Sequence, residues 1–167
     1  MKLLVIRHGI AEEQEEWAKT GEPEDKRPLT DKGRSRLKRI ARGLHRNIDT
    51  IEILATSPLT RAVQTAEIIV QRYGNVAAVV TDTLVPDKPL SALLDWLKGL
   101  DDVDTVAVVG HEPHLSGLVS WLLSGKEQSF IELKKGGAIL LEFAQERAAG
   151  KAKLLWSLTP KQLRRLA

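Results

Sequence analysis

The stretch Lys2-Leu3-Leu4-Val5-Ile6-Arg7-His8-Gly9 decides how the rest of the chain is read. Leu3–Ile6 is a short, unbroken apolar run, the pattern of a strand buried on both faces. It stops at a cation, an imidazole and a glycine. In open α/β sheets ligands bind beyond the carboxyl ends of the strands, so these three residues arrive where a site is expected. Two more runs behave the same way. Ile51–Ala55 leads into Thr56-Ser57-Pro58-Leu59-Thr60-Arg61, and Val106–Val109 leads into Gly110-His111-Glu112.

Each run is followed by a helical pattern. Thr30 predicts the cap of a helix from Asp31 to about Arg46, Pro58 opens one that ends near Tyr73–Gly74, and Glu112–Pro113 opens Leu115–Leu123, closed by Gly125. Val76–Val80 predicts a further strand, followed by a loop around Pro86 and a helix from about Ser91 to Leu97. After Gly136–Gly137, Ala138–Phe143 and Ala152–Ser157 are joined by a polar turn at about Gln145–Gly150 and predict a hairpin or two neighbouring edge strands. The alternation predicts an α/β fold with a mostly parallel central sheet covered by helices on both faces. With no repeat or linker, residues 1–167 are expected to form one domain. The acidic segment Glu12–Asp25 is expected to be a mobile surface loop. Trp96, Trp121 and Trp156 sit among aliphatics and are expected in the core, with Trp17 a candidate for the rim of the site.

Composition narrows the function classes. The 167 residues contain no cysteine, which excludes a disulfide framework and thiolate chemistry. Leu3–Ile6 is too short for a signal-peptide core or a membrane span, so a cytoplasmic protein without a membrane partner is expected. Lys and Arg total 25 against 22 Asp and Glu. The excess gathers between Lys32 and Arg46, where Arg34, Arg36, Lys38, Arg39 and Arg42 have no acid among them. Leu37, Ile40, Ala41, Leu44 and Ile48 recur at helical spacing through the same stretch, which makes the basic residues a solvated helix face, with His45 on the surface near its end. Without a recognition motif, nucleic acid is not an expected partner.

Three strand ends thus bring two arginines and two histidines to one crevice. A single histidine or arginine has an ordinary structural explanation; four converging at strand ends suit a phosphoryl group, whose oxygens accept bidentate bonds from guanidinium forks. A neutral imidazole is a good nucleophile near neutral pH. Transfer to an imidazole followed by attack of water would split one displacement into two easier steps. Arg7 and Arg61 would supply permanent charge, and His111 a hydrogen bond, expected from the imidazolium. His111-Glu112-Pro113-His114 has its histidines at i and i+3 across a proline, not the i, i+4 spacing of zinc helices, so no metal is expected.

The R-H-G at Arg7–Gly9, the S-P-L-x-R-A-x-Q-T-A from Ser57 to Ala66 and the G-H-E at Gly110–Glu112 together resemble the histidine phosphatase superfamily, over a span from Lys2 to about Leu123. The short chain and Arg27-Pro28-Leu29-Thr30-Asp31-Lys32-Gly33 are most similar to the SixA-type protein phosphohistidine phosphatases. The resemblance implies a phosphoglycerate-mutase-like fold without a large inserted cap. It implies His8 as the phosphorylated nucleophile, Arg7, Arg61 and His111 as the phosphate pocket, and neither metal nor cofactor. It also implies a phosphorylated protein as partner, such as a histidine phosphotransfer domain in a signalling relay. The alternatives are a phosphatase for a small phosphoester and a non-catalytic phosphate-binding module. Oligomeric state is left open.

The chain departs from the family in two places. Ile10-Ala11-Glu12-Glu13-Gln14 follows R-H-G where many members have an asparagine and further polar residues. Mutase-like members also place a glutamate as general acid before the fourth helix, where this chain offers only Asp82 and Asp87 between Thr81 and Pro89. Glu112 is a third candidate, and also a natural first-turn residue of a helix. A leaving imidazole needs far less acid help than an alkoxide, so a weak acid suits a phosphoramidate substrate.

Overall fold

The computed structural model describes residues 1–167. Strand β1 (Lys2–Arg7) runs through the middle of a six-stranded sheet. It pairs in parallel with β4 (Thr105–Gly110) on one side and antiparallel with β5 (Ala138–Glu142) on the other. Beyond β4 lie β2 (Ile53–Thr56) and then β3 (Ala77–Val80), both parallel to it, while β6 (Lys153–Leu158) pairs antiparallel with β5. The order is β3-β2-β4-β1-β5-β6. The last two strands form the expected hairpin, with β5 inside the sheet and β6 at its edge.

Alternation along the strands divides the core in two. Leu4, Ile6, Leu54, Ala107, Val109, Ala138 and Leu140 face one way, with apolar residues of α2 (Asp31–Asn47), α3 (Thr60–Tyr73) and α6 (Pro160–Arg165) over them. Leu3, Val5, Ala55, Val106, Val108, Ile139 and Leu141 face the other way, under α4 (Leu90–Lys98) and α5 (His114–Ser124). Unbroken apolar strands are what a sheet covered on both faces requires. The fold is therefore α/β, mixed at one side of the sheet, with no large inserted cap.

The helix signals hold with small shifts. Thr30 Oγ1 accepts the amide of Gly33 and so starts α2, and Gly125 (φ +77°) ends α5. Helix α3 begins at Thr60, two residues after the proline expected to open it. Helix α6 was not anticipated, although Thr159, Pro160 and Gln162 make a capping box with proline at the first turn.

Val76–Val80 supplies the further strand expected there, β3, which lies at the sheet edge with Val80 60% exposed. Other expectations fail for physical reasons. Trp96, Trp121 and Trp156 are only partly buried and pack against the margins of the two cores. The acidic segment 12–25 lies on the surface as expected, but it is not without regular structure. It contains α1 (Gln14–Ala18) and a 3-10 turn at Glu24–Lys26, and its base is closed by a bridge between Ala11 and Leu29. Trp17 Nε1 donates to the carbonyl of Pro23 at 3.0 Å, so this tryptophan braces the segment and lines a shallow surface pocket with Glu12, Glu16, Thr20 and Pro28. It does not line the site. No helix is long and apolar enough to cross a membrane.

Candidate active site

The parallel register sets three strand ends level. Arg7 lies opposite Gly110, and Thr56 lies opposite Val109. Beyond them His8 N donates to Gly110 O at 3.1 Å and Ser57 N to Val109 O at 3.0 Å, extending the ladder into the loops. The rings of His8 and His111 end 5.1 Å apart, tilted by 51°. Arg61 reaches the same place from the first turn of α3. Arg7, His8, Arg61 and His111 all line one cavity of about 400 Å³, so the four residues singled out from the sequence are brought together.

His8 is held in one tautomer. Its Nδ1 lies 2.7 Å from Gly9 O; a carbonyl can only accept, so Nδ1 carries the proton. The lone pair is therefore on Nε2, which makes no protein hydrogen bond. Burial pushes the pKa of His8 down to about 3, with Arg61, Arg7 and Lys135 adding to the shift and the Gly9 carbonyl opposing it. The ring is neutral across the physiological range. Gly9 is itself clamped: its amide donates to Thr65 Oγ1 at 3.0 Å, and Thr65 in turn donates to Arg61 O at 2.7 Å. A Cβ on Gly9 would collide with Leu37 Cδ1, so only glycine lets α2 approach this closely.

Arg7 is positioned by the loop before β5. Its Nη1 donates to Leu133 O at 2.9 Å, and the amide of Gly136 (φ +78°) donates to the carbonyls of both Arg7 and His8. His111 Nε2 lies 2.8 Å from Ser57 Oγ, while its buried Nδ1 has no partner. Burial, then the neighbouring His8 and Arg61, bring His111 down to about 3 as well. Burial and these cations favour the neutral form of His111, whereas the expected imidazolium concerns the ring as it meets a phosphoryl group. In the neutral form its proton sits on one ring nitrogen, and Ser57 Oγ serves Nε2 either way, accepting if Nε2 carries the proton and donating if Nδ1 does.

The cavity holds charged residues to which no role was assigned from the sequence. Arg27 is almost fully buried and grips both carboxylate oxygens of Glu24 through Nε (3.0 Å each), with Nη2 at 2.7 Å from Oε1. Its Nη1 donates to Glu12 O at 2.6 Å. Glu24 Oε1 also lies 3.4 Å from Arg61 Nη1, and the Arg27 hydrogen bonds hold this carboxyl below its ordinary range. Lys135 completes the cationic lining. The Arg27–Gly33 stretch was noticed in the sequence, but nothing local in it says that the segment before it folds back over the site.

Of the three candidate acids, Asp82 and Asp87 do not line the cavity; Glu112 does. It lies before the N-cap Pro113 and not in the first turn expected from the sequence, and its Oε1 accepts the amide of Ser116 at 3.1 Å. Glu13 and Glu24 are further carboxylates on the lining. His114 turns away from His111 to Lys88 O, 3.1 Å from its Nε2. No group of three or more histidines and carboxylates is arranged to hold a metal ion.

Comparison with known proteins agrees with this geometry. The family model described as histidine phosphatase superfamily (branch 1) matches residues 3–85. An uncharacterised protein of Picosynechococcus sp. strain PCC 7002 is 35% identical over 149 residues, 88% of each chain. Among solved structures, the protein histidine phosphatase SixA complexed with tungstate superposes with a TM-score of 0.82 at 23% identity, covering 98% of this chain and 99% of that one. A putative alpha-ribazole-5'-P phosphatase from Escherichia coli gives a TM-score of 0.76 at 15% identity, covering 96% and 97%. These two share the fold with this chain. The family model spans the strand, loops and helix that carry His8 and Arg61, and the chain belongs to the histidine phosphatase superfamily.

Proposed function

We propose that the chain dephosphorylates phosphohistidine on a protein, with His8 as the transient phosphoryl acceptor. Membership of the superfamily supports phosphatase chemistry, and one observation carries the mechanism: the proton on His8 Nδ1 is committed to Gly9 O, which leaves Nε2 as a lone-pair nitrogen in a cationic cavity. In the first step Nε2 bonds to phosphorus while the bond from phosphorus to the substrate imidazole breaks. With the second nitrogen of that imidazole protonated, it departs as a neutral molecule. The His8 ring then carries positive charge, which the Gly9 carbonyl stabilises through the Nδ1 proton. Water next adds to phosphorus, the Nε2–P bond breaks, and dihydrogen phosphate leaves a neutral His8. Both steps balance without an added acid or base.

Arg7 and Arg61 are the pocket for the equatorial oxygens, where charge gathers in the transition state. His111 donates to the same oxygens, and an incoming dianion favours its protonation. Arg27 pairs with Glu24 and so fixes that carboxylate beside Arg61. The paired arginines do what magnesium does in other phosphoryl-transfer sites.

A small phosphoester is the second reading, and the Glu112 carboxylate on the cavity lining favours it. One experiment separates the two: phosphate release from a phosphohistidine peptide and from a phosphoserine peptide, each with and without EDTA. Rapid, EDTA-resistant release from the first and slow release from the second is expected, with Glu112→Gln sparing the first. The reverse preference, or a Glu112→Gln variant as inactive on phosphohistidine as His8→Ala, would make the phosphoester the substrate and Glu112 its acid. Loss of activity on chelation, restored by a divalent ion, would contradict the arginine-only site.

A further inference from the structure

A second groove, of about 390 Å³, opens beside the catalytic cavity and shares Arg7 and Lys135 with it. Its walls come from parts of the chain far apart in sequence: Ile10 after β1, Arg36 on α2, Lys134 before β5, and Pro160 and Arg164 on α6. Leu37 and Ile40 form the floor. The basic stretch of α2 is therefore more than a solvated face, because Arg36 faces the cations of two other elements.

Those cations are unneutralised. The ion pairs of the protein are Lys19–Glu16, Arg27–Glu24, Arg61–Glu24 and Lys98–Asp95, and none involves Arg36, Lys134, Lys135 or Arg164. Arg39 adds to the cluster, with Nη2 3.4 Å from Arg164 O. The Arg164 guanidinium is held below its ordinary pKa by burial and then by Arg36 and Arg39, the mark of like charges gathered without a counterion. Glu132 is the one carboxylate on the lining. Folding brings like charges together here at a cost, and an acidic occupant would relieve it.

We propose that this groove receives acidic side chains of the polypeptide that carries the phosphohistidine, and so selects substrates by the charge beside the phosphorylated residue. The proposal rests on the phosphohistidine reading above. The shared Arg7 and Lys135 make the groove continuous with the phosphoryl site, so whatever lies in it is attached to, or adjoins, the leaving group. Its apolar floor suits side-chain methylenes. No aromatic residue lines it, and proteins that bind single-stranded nucleic acid rely on aromatic side chains to stack the bases.

The test uses two synthetic histidine peptides, phosphorylated with phosphoramidate, that carry either glutamates or glutamines around the phosphohistidine. At low salt the enzyme should show a KM about tenfold lower for the glutamate peptide at similar kcat, with the preference fading at about 0.5 M salt. Arg36→Gln combined with Arg164→Gln should remove the preference by raising KM on the glutamate peptide alone. Lys134→Gln, on a different element, should act in the same direction. Turnover of the glutamine peptide should be unchanged in these variants, which also reports that they fold. Equal kcat/KM for the two peptides in the parent protein, or a preference that survives in the double variant, overturns the docking proposal and leaves the phosphohistidine reading standing. An oligothymidylate that inhibits the glutamate-peptide reaction more strongly than the unphosphorylated glutamate peptide does would also overturn it, in favour of nucleic acid. Failure to release phosphate from either peptide overturns the phosphohistidine reading, and this assignment with it.

Discussion

At the scale of single residues, the site works through partners that hold the reactive ones still. Motif residues with no expected chemistry turn out to be those partners. Ser57 holds His111, Thr65 links Gly9 to Arg61, and Gln64 Oε1 accepts the amide of Leu29 at 2.8 Å. Ala62 and Ala66 are small because they are buried against the sheet. The motif could be recognised in the sequence, but these duties could not, since each joins residues distant along the chain. Thr65 offers a direct check. Thr65→Val keeps the shape and removes the acceptor, leaving the buried Gly9 amide unpaired at a cost of about 1–3 kcal/mol. The Gly9 carbonyl that orients His8 loosens as well. Turnover should fall by about tenfold, or about 1.4 kcal/mol of barrier. Thr65→Ser should restore it, whereas full activity in the valine variant would show that the clamp on Gly9 is dispensable.

At the scale of elements, legibility followed burial. The runs that became β1, β2 and β4 read clearly because strands covered on both faces must be apolar throughout, and their last residues then marked the site. The run that became β3 read as a strand, but its place at the sheet edge was not legible, because composition does not report what lies on a strand's outer side. Segment 12–25 read as a loop because its short helices carry no apolar stripe; they are held by Arg27, the Trp17 brace and the Ala11–Leu29 bridge. Helix α6 was missed because six residues are too few for a period to emerge, although its cap was there to be read. That cap should matter. Thr159 Oγ1 accepts the amide of Gln162, and Gln162 Oε1 accepts from the Thr159 amide. Thr159→Ala should cost about 1 kcal/mol, seen as a lower urea midpoint at unchanged slope. No change in midpoint would mean that α6 is held by Leu163 packing alone.

At the scale of the whole molecule, the catalytic cavity makes folding sensitive to acid. His8 and His111 have pKa values of about 3 in the folded protein, against about 6.5 when unfolded. Between those values the unfolded chain binds more protons, so stability is complete above about pH 6.5 and is lost as pH falls toward 3. Each histidine contributes a slope of up to about 1.4 kcal/mol per pH unit. Urea unfolding at pH 7 and pH 5 should show the loss, and His8→Asn should flatten it; equal pH dependence in both proteins would contradict the assignment. The same arrangement sets where phosphate must go. In the proposed mechanism, with Nδ1 committed to Gly9, the phosphoryl group goes to Nε2 of His8. The decisive measurement is therefore a rapid quench of the wild-type protein during turnover of a phosphohistidine peptide, under alkaline conditions that preserve phosphohistidine, followed by mapping of the label. The account predicts phosphate on Nε2 of His8. Label on Nδ1, on any other residue, or no label in a protein that is turning over at full rate would contradict it.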